Sequence, residues 1–217
     1  MFFGHIGAGL AAKPLAPRAP LGGLLFATTA IDTLSGLLMI AGIESVDASG
    51  ASSIYWSHGL FMSAVWSTAG FALAYLLTRD RRTSIVIGLL IFSHWILDFI
   101  SHPMGMGRKL PPDIPLLFEG SPKVGLGLYN SVPAALITDL GLLVAGSVVY
   151  LVSTRPRDRI GTLAFWLLIA ATVLLAASAA VPTLSTIMPI AFVLLWPLGN
   201  WVDRHRTIPA ASVPQAT

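Results

Sequence analysis

The sequence predicts an all-α, polytopic membrane bundle of about six spanning helices plus a short N-terminal half-helix. Three observations predict it. Charged residues make up 11% of the 217 positions, whereas soluble proteins carry about 25%. Hydrophobic residues reach 55%, with a mean hydropathy of +0.78. The apolar residues also gather into stretches near the roughly 20 residues that a helix needs to cross about 30 Å of hydrocarbon.

In chain order, the segment before Lys13 is apolar but too short to cross. Pro14, Pro17 and Pro20 break any continuing helix and turn the chain into the first span, Leu21 to Ile43. Further spans are Ser57 to Thr78, Ser84 to Ile100, Tyr129 to Ser153, Gly161 to Ala180 and Leu184 to Trp201. Abundant Ala, Gly and Ser would let these helices approach closely. Nothing divides the chain, so residues 1–206 read as one transmembrane domain. The tail Thr207 to Thr217 is small, polar and Pro-containing, with the composition of a disordered segment.

Basic residues set the expected orientation. Of the 13 Lys and Arg, Lys13, Arg18, Arg79, Arg81, Arg82, Arg155, Arg157, Arg159, Arg204 and Arg206 fall on one side of this layout. Only Arg108, Lys109 and Lys123 fall on the other. The positive-inside rule places the larger set, and with it both termini and the tail, in the cytoplasm of a multi-pass inner-membrane protein. The net charge of +3 therefore belongs to topology and points to lipid partners, not to nucleic acid. Met1-Phe2-Phe3 opens without the positive charge of a secretory signal. With no cysteine, disulfides, thiolate metal sites and cysteine nucleophiles are excluded.

Against this apolar background, ionisable residues inside the spans stand out, since each costs about 2.5–3.5 kcal/mol at the bilayer centre even on insertion scales. They are Asp32, His94, Asp98 and Asp139, with His58 and His102 at span ends and His5 in the half-helix. His94, Asp98 and His102 are four residues apart and share one helix face. A half-helix rising from Lys13 would lift His5 toward the level of Asp32. His5, Asp32, His58, His94, Asp98 and His102 thus form an oxygen and nitrogen donor set, which suits Zn²⁺, with Mn²⁺ or Fe²⁺ as alternatives. Asp32 and Asp98 are the candidate catalytic carboxylates, able to bridge a second ion or orient a nucleophile. Asp139 is expected to hydrogen-bond a ligating histidine. Arg108, Lys109 and Lys123 are candidate contacts for an anionic head group. The competing reading of the His-Asp pair is a buried hydrogen bond that serves packing.

These positions resemble the bacterial inner-membrane family of membrane-bound metal-dependent hydrolases, which includes LexA-regulated members. The likeness rests on His5, Asp32, Ser57-His58 and Ser93-His94 with Asp98, over roughly the first half of the chain. The family's Asp-x-Asp-His cluster is here reduced to Ile31-Asp32-Thr33, and its Arg beside the second His is absent from Tyr55-Trp56-Ser57-His58. A weaker likeness, in ligand order, is to zinc-dependent phospholipase C. Together these imply a metal-dependent hydrolase acting on a lipid-like phosphoester at the outer leaflet. The alternatives are a transporter or permease using the same residues as an ion or proton pathway, and a non-catalytic membrane protein braced by them. Internal repeats and paired broken helices, common in transporters, are not evident.

The orientation has a direct test. In intact cells, a membrane-impermeant thiol reagent should label an introduced Lys109→Cys and leave Arg81→Cys unlabelled; the reverse pattern would invert the topology.

Overall fold

The computed structural model describes residues 1–46, 52–103, 107–178 and 188–209, and over these it is an all-α helical bundle. Its helices are α1 (Phe2–Ala11), α2 (Leu21–Ile40), α3 (Leu60–Thr78), α4 (Arg81–Ser101), α5 (Val132–Ser153), α6 (Arg159–Ser178), α7 (Met188–Ala191) and α8 (Leu195–Arg204). Helices α2 to α6 are long and apolar enough to cross a membrane. Leu73, Leu76, Leu77, Ile137, Val144 and Leu174 remain exposed on the bundle, an outer surface suited to hydrocarbon and not to water. The chain is a membrane protein.

The sixth predicted span, Leu184 to Trp201, lies partly outside the described residues. Over its described part the chain forms α7, a 3₁₀ turn at Phe192–Leu194 and α8, which continues to Arg204. Pro197 accounts for the interruption, because it lacks the N–H that would bond the carbonyl of Val193. Of the expected tail, Thr207 pairs with Arg155 in a two-residue antiparallel ladder between β5 (Arg155–Pro156) and β6 (Arg206–Thr207). Residues 210–217 lie outside the described set.

The α2–α3 and α4–α5 connections carry two similar ladders. Ser45–Val46 (β1) pairs with Ser52–Ser53 (β2), and Ile114–Pro115 (β3) pairs with Lys123–Val124 (β4). These short pairings close the loops over the ends of α2, α3 and α4.

Helix α1 is the central element despite its ten residues. Ile6 and Leu10 are fully buried in a core with Leu21, Leu25, Leu143, Phe165, Phe192 and Leu195, drawn from α2, α5, α6, the 3₁₀ turn and α8. Close approach requires glycine here: a Cβ on Gly7 would fall on the carbonyl of Leu142, and one on Gly146 would fall on the backbone of Gly7. The first turn of α1 lacks a side-chain cap of its own. Asp139 of α5 supplies the acceptor, taking the Gly4 N–H at 2.6 Å and the Tyr129 hydroxyl at 2.7 Å. At the other end, Lys13 Nζ donates to the Ala19 carbonyl at 2.7 Å and pairs with Asp203 at 2.6 Å, closing the proline-rich turn. The orphan groups of a short helix are thereby met inside the bundle.

Gly146→Leu should overpack the α1–α5 contact and lower stability by about 1–3 kcal/mol or more. Gly141→Ala, at a position facing open space, should be neutral or stabilising by up to about 1 kcal/mol. Thermal unfolding of the purified variants distinguishes the two.

Candidate metal centre

The stripe on α4 points at α1 and α2. His94 is completely buried, and its Nδ1 lies 2.7 Å from the carbonyl of Thr28. A carbonyl only accepts, so Nδ1 carries a proton, and in the neutral ring the Nε2 lone pair faces the opposite way. That Nε2 lies 3.1 Å from Asp98 Oδ2 and 3.5 Å from Asp32 Oδ1, with hydrogen-bond geometry toward neither.

His58, in the turn before α3, is oriented in the same manner. Its Nδ1 is 2.7 Å from Ser57 Oγ, and Ser57 Oγ donates to Glu44 Oε2 at 2.7 Å. The serine proton is therefore committed to Glu44, and Ser57 Oγ accepts from His58 Nδ1–H. His58 Nε2 is left 3.4 Å from Asp32 Oδ1 and 3.5 Å from Asp98 Oδ2. Glu44 is itself fixed by the backbone N–H groups of Trp56 and Ser57 on Oε1, at 2.9 and 2.8 Å, and by Ser35 Oγ on Oε2 at 2.9 Å.

His102, the C-cap of α4, donates from Nδ1 to Asp113 Oδ1 at 2.9 Å. Its Nε2 stands 3.7 Å from Asp98 Oδ2. Asp113 is steadied in turn by Ser52 Oγ, 3.2 Å from Oδ2.

His5 approaches from the other side. Its ring stacks on that of His94 with centroids 3.8 Å apart and planes 5° from parallel. His5 Nε2 lies 3.2 Å from Asp98 Oδ1, an oxygen that also meets the Met1 amino group at 2.6 Å. His5 Nδ1 is buried without a hydrogen-bond partner. The two oxygens of Asp98 thus face different sets of groups, as a bridging carboxylate would.

This arrangement calls for positive charge at its centre. With the Nδ1 protons of His58, His94 and His102 held elsewhere, the neutral rings turn their Nε2 lone pairs onto Asp32 and Asp98. Buried acceptors facing one another repel and have lost their water; a metal ion between them, or protonation of the rings, reverses the sign. His5, His94 and Asp98 offer ligand atoms within 4.8 Å of one another, as do Asp32, His58 and His94. The buried His/Asp group could hold a metal ion, and histidines oriented by outer acceptors are the usual support for one.

All six residues predicted as ligands come together here. Asp139 supports His5 through the backbone of α1, not through a ring nitrogen, because its oxygens are taken by Gly4 and Tyr129. Burial and the neighbouring Asp139 charge push the Tyr129 hydroxyl, in the turn before α5, above its ordinary pKa, so it stays a donor. Arg108 and Lys109 are exposed in the α4–α5 connection. Lys123 donates to the Ser52 carbonyl at 2.7 Å and lies over the Tyr55 ring. The residues that sequence reasoning misses are Glu44, Asp113 and Thr28. The two acids are visible as charges in loops of few others, but their partners lie across long loop closures.

No protein-family model, curated protein or solved structure matches the chain.

Asp113→Ala and Glu44→Ala should each weaken divalent-metal binding about 10–100-fold by freeing the ring they orient. Competition against a chromogenic chelator measures this. Arg108→Gln, remote from these bonds, should leave the affinity unchanged.

Proposed function

We propose that the protein is a membrane-embedded, metal-dependent hydrolase of the cytoplasmic membrane, acting on a lipid-like phosphoester at the outer leaflet. One observation carries the reading: three histidines fixed with Nε2 lone pairs turned onto Asp32 and Asp98. The all-nitrogen-and-oxygen donor set suits Zn²⁺ best, with Mn²⁺ or Fe²⁺ also compatible. Such an ion, when bound, supplies Lewis acidity and activates water at neutral pH.

The chain's own residues divide the remaining work. Asp98, whose side chain is 3% exposed, touches four histidines and serves as the shared ligand. The Asp32 side chain is 24% exposed and is the carboxylate of the cluster that water can reach. We assign Asp32 the role of orienting the attacking water and accepting its proton. The burial of His5, His94 and Asp98 keeps bulk solvent from the opposite side. The position of the cluster between the middle of α2 and the C-terminal end of α4, together with the basic residues at or before the N-terminal ends of these helices, supports an outward-facing site.

Metal analysis of purified protein should find bound divalent ion in the wild type and strong depletion in Asp98→Ala, with phosphoesterase activity lost in parallel. Asp32→Asn should retain most of the metal yet lose activity by about 10²-fold or more. Active wild-type protein free of metal would sink the proposal. Asp98-dependent proton or ion flux in vesicles, without hydrolysis, would favour the transport reading instead.

A further inference from the structure

At the basic end of the bundle, a cavity of about 620 Å³ opens between the proline-rich turn, the start of α4, the α5–α6 connection and the segment after α8. Arg82 at its wall is 16 residues before Asp98 on the same helix, about 24 Å away by helical rise. The cavity is therefore separate from the His/Asp cluster, and a ligand bound there is independent of the hydrolase reading.

Its lining holds five cations, Lys13, Arg18, Arg82, Arg157 and Arg206, against two carboxylates, Asp80 and Asp203. Lys13 is paired with Asp203 at 2.6 Å, and Arg18 is the cation whose charge acts on Asp80. The other three arginines have no carboxylate partner among the described residues. Arg82 donates from Nε to the Leu15 carbonyl at 2.6 Å and from a terminal nitrogen to that of Pro14 at 3.4 Å. Arg206 is 5% exposed. It donates to Thr154 Oγ1 at 2.9 Å and to the carbonyls of Gly161 and Thr154 at 3.3 Å, and its guanidinium lies over the Tyr150 ring. Every one of these acceptors is neutral. The Arg157 side chain is exposed and makes no hydrogen bond among the described residues. A buried guanidinium with only neutral acceptors is an uncompensated charge.

We propose that this cavity binds a phosphate-bearing anion, supplied by a lipid head group or by a free phosphate compound. Planar guanidinium forks match phosphate oxygens, three unpaired cations suit a multiply charged phosphate, and the volume exceeds that of one phosphate group. Basic pockets between transmembrane helices are established settings for such head groups.

The test uses the full chain in neutral detergent, titrated calorimetrically with inorganic phosphate, and native mass spectrometry with phosphatidic acid and phosphatidylcholine. Arg157→Gln should weaken binding about tenfold or more. Arg155→Gln removes the same charge from the same connection outside the cavity and should change it less than about twofold. Arg206→Lys, which keeps the charge but loses the fork, should also weaken it. Retained phosphatidic acid that inorganic phosphate displaces poorly identifies a lipid source. Saturable phosphate binding without preference for phosphatidic acid identifies a free one. Failure of both probes to saturate, or equal effects of Arg157→Gln and Arg155→Gln, would overturn the site.

Discussion

A carboxylate buried among helices that themselves sit in hydrocarbon must be met by donors or cations, because its surroundings offer no water to do so. Asp98 concentrates that constraint. One of its oxygens faces His5 and the amino group of Met1, and the other faces His58, His94 and His102. The placing of α1 in the core, the docking of α2 against α4 and the folding of the α2–α3 and α4–α5 connections all serve to bring these groups to one carboxylate. The glycines where α1 meets α5 matter for the same reason: without the close approach of Gly7 and Gly146, His5 would not reach it.

Tautomer geometry separates two accounts of the cluster. In a packing network, imidazole N–H groups would donate inward to Asp98 and Asp32. Here Ser57, Thr28 and Asp113 hold the Nδ1 protons outside, so in the neutral rings the inward atoms of His58, His94 and His102 are acceptors. Three unrelated segments impose the same polarity. A metal ion accounts for all three with neutral rings, whereas a hydrogen-bond network requires the rings to be protonated and charged. Asp32, partly open to solvent, then sits where a reacting water would enter.

Much of this is legible in the chain. The four-residue spacing of His94, Asp98 and His102 implies one face in any helix, and their setting among apolar residues marks them as partnered. His5 is readable because a ten-residue apolar helix followed by prolines cannot cross a membrane and has to fold back inside. Glu44 and Asp113 escape such reasoning, since their meaning lies in contacts to Ser57 and His102 that depend on loop closure, and local patterns carry no record of it. Asp139 stands out by its apolar setting, which suggests a histidine partner, yet the unsatisfied N–H of Gly4 is the nearer need. The interruption before α8 follows from Pro197, which a hydropathy average over the span conceals. The cavity near Arg206 is invisible for a related reason: basic loop residues read as topology signals until the fold gathers four segments around one space.

The central claim is that the inward Nε2 atoms are ligands. X-ray absorption at the zinc edge of zinc-loaded protein examines them directly. The account predicts a nitrogen and oxygen shell near 2.0–2.1 Å with outer-shell scattering from at least three imidazoles. A shell of oxygen alone, without imidazole scattering, would contradict it.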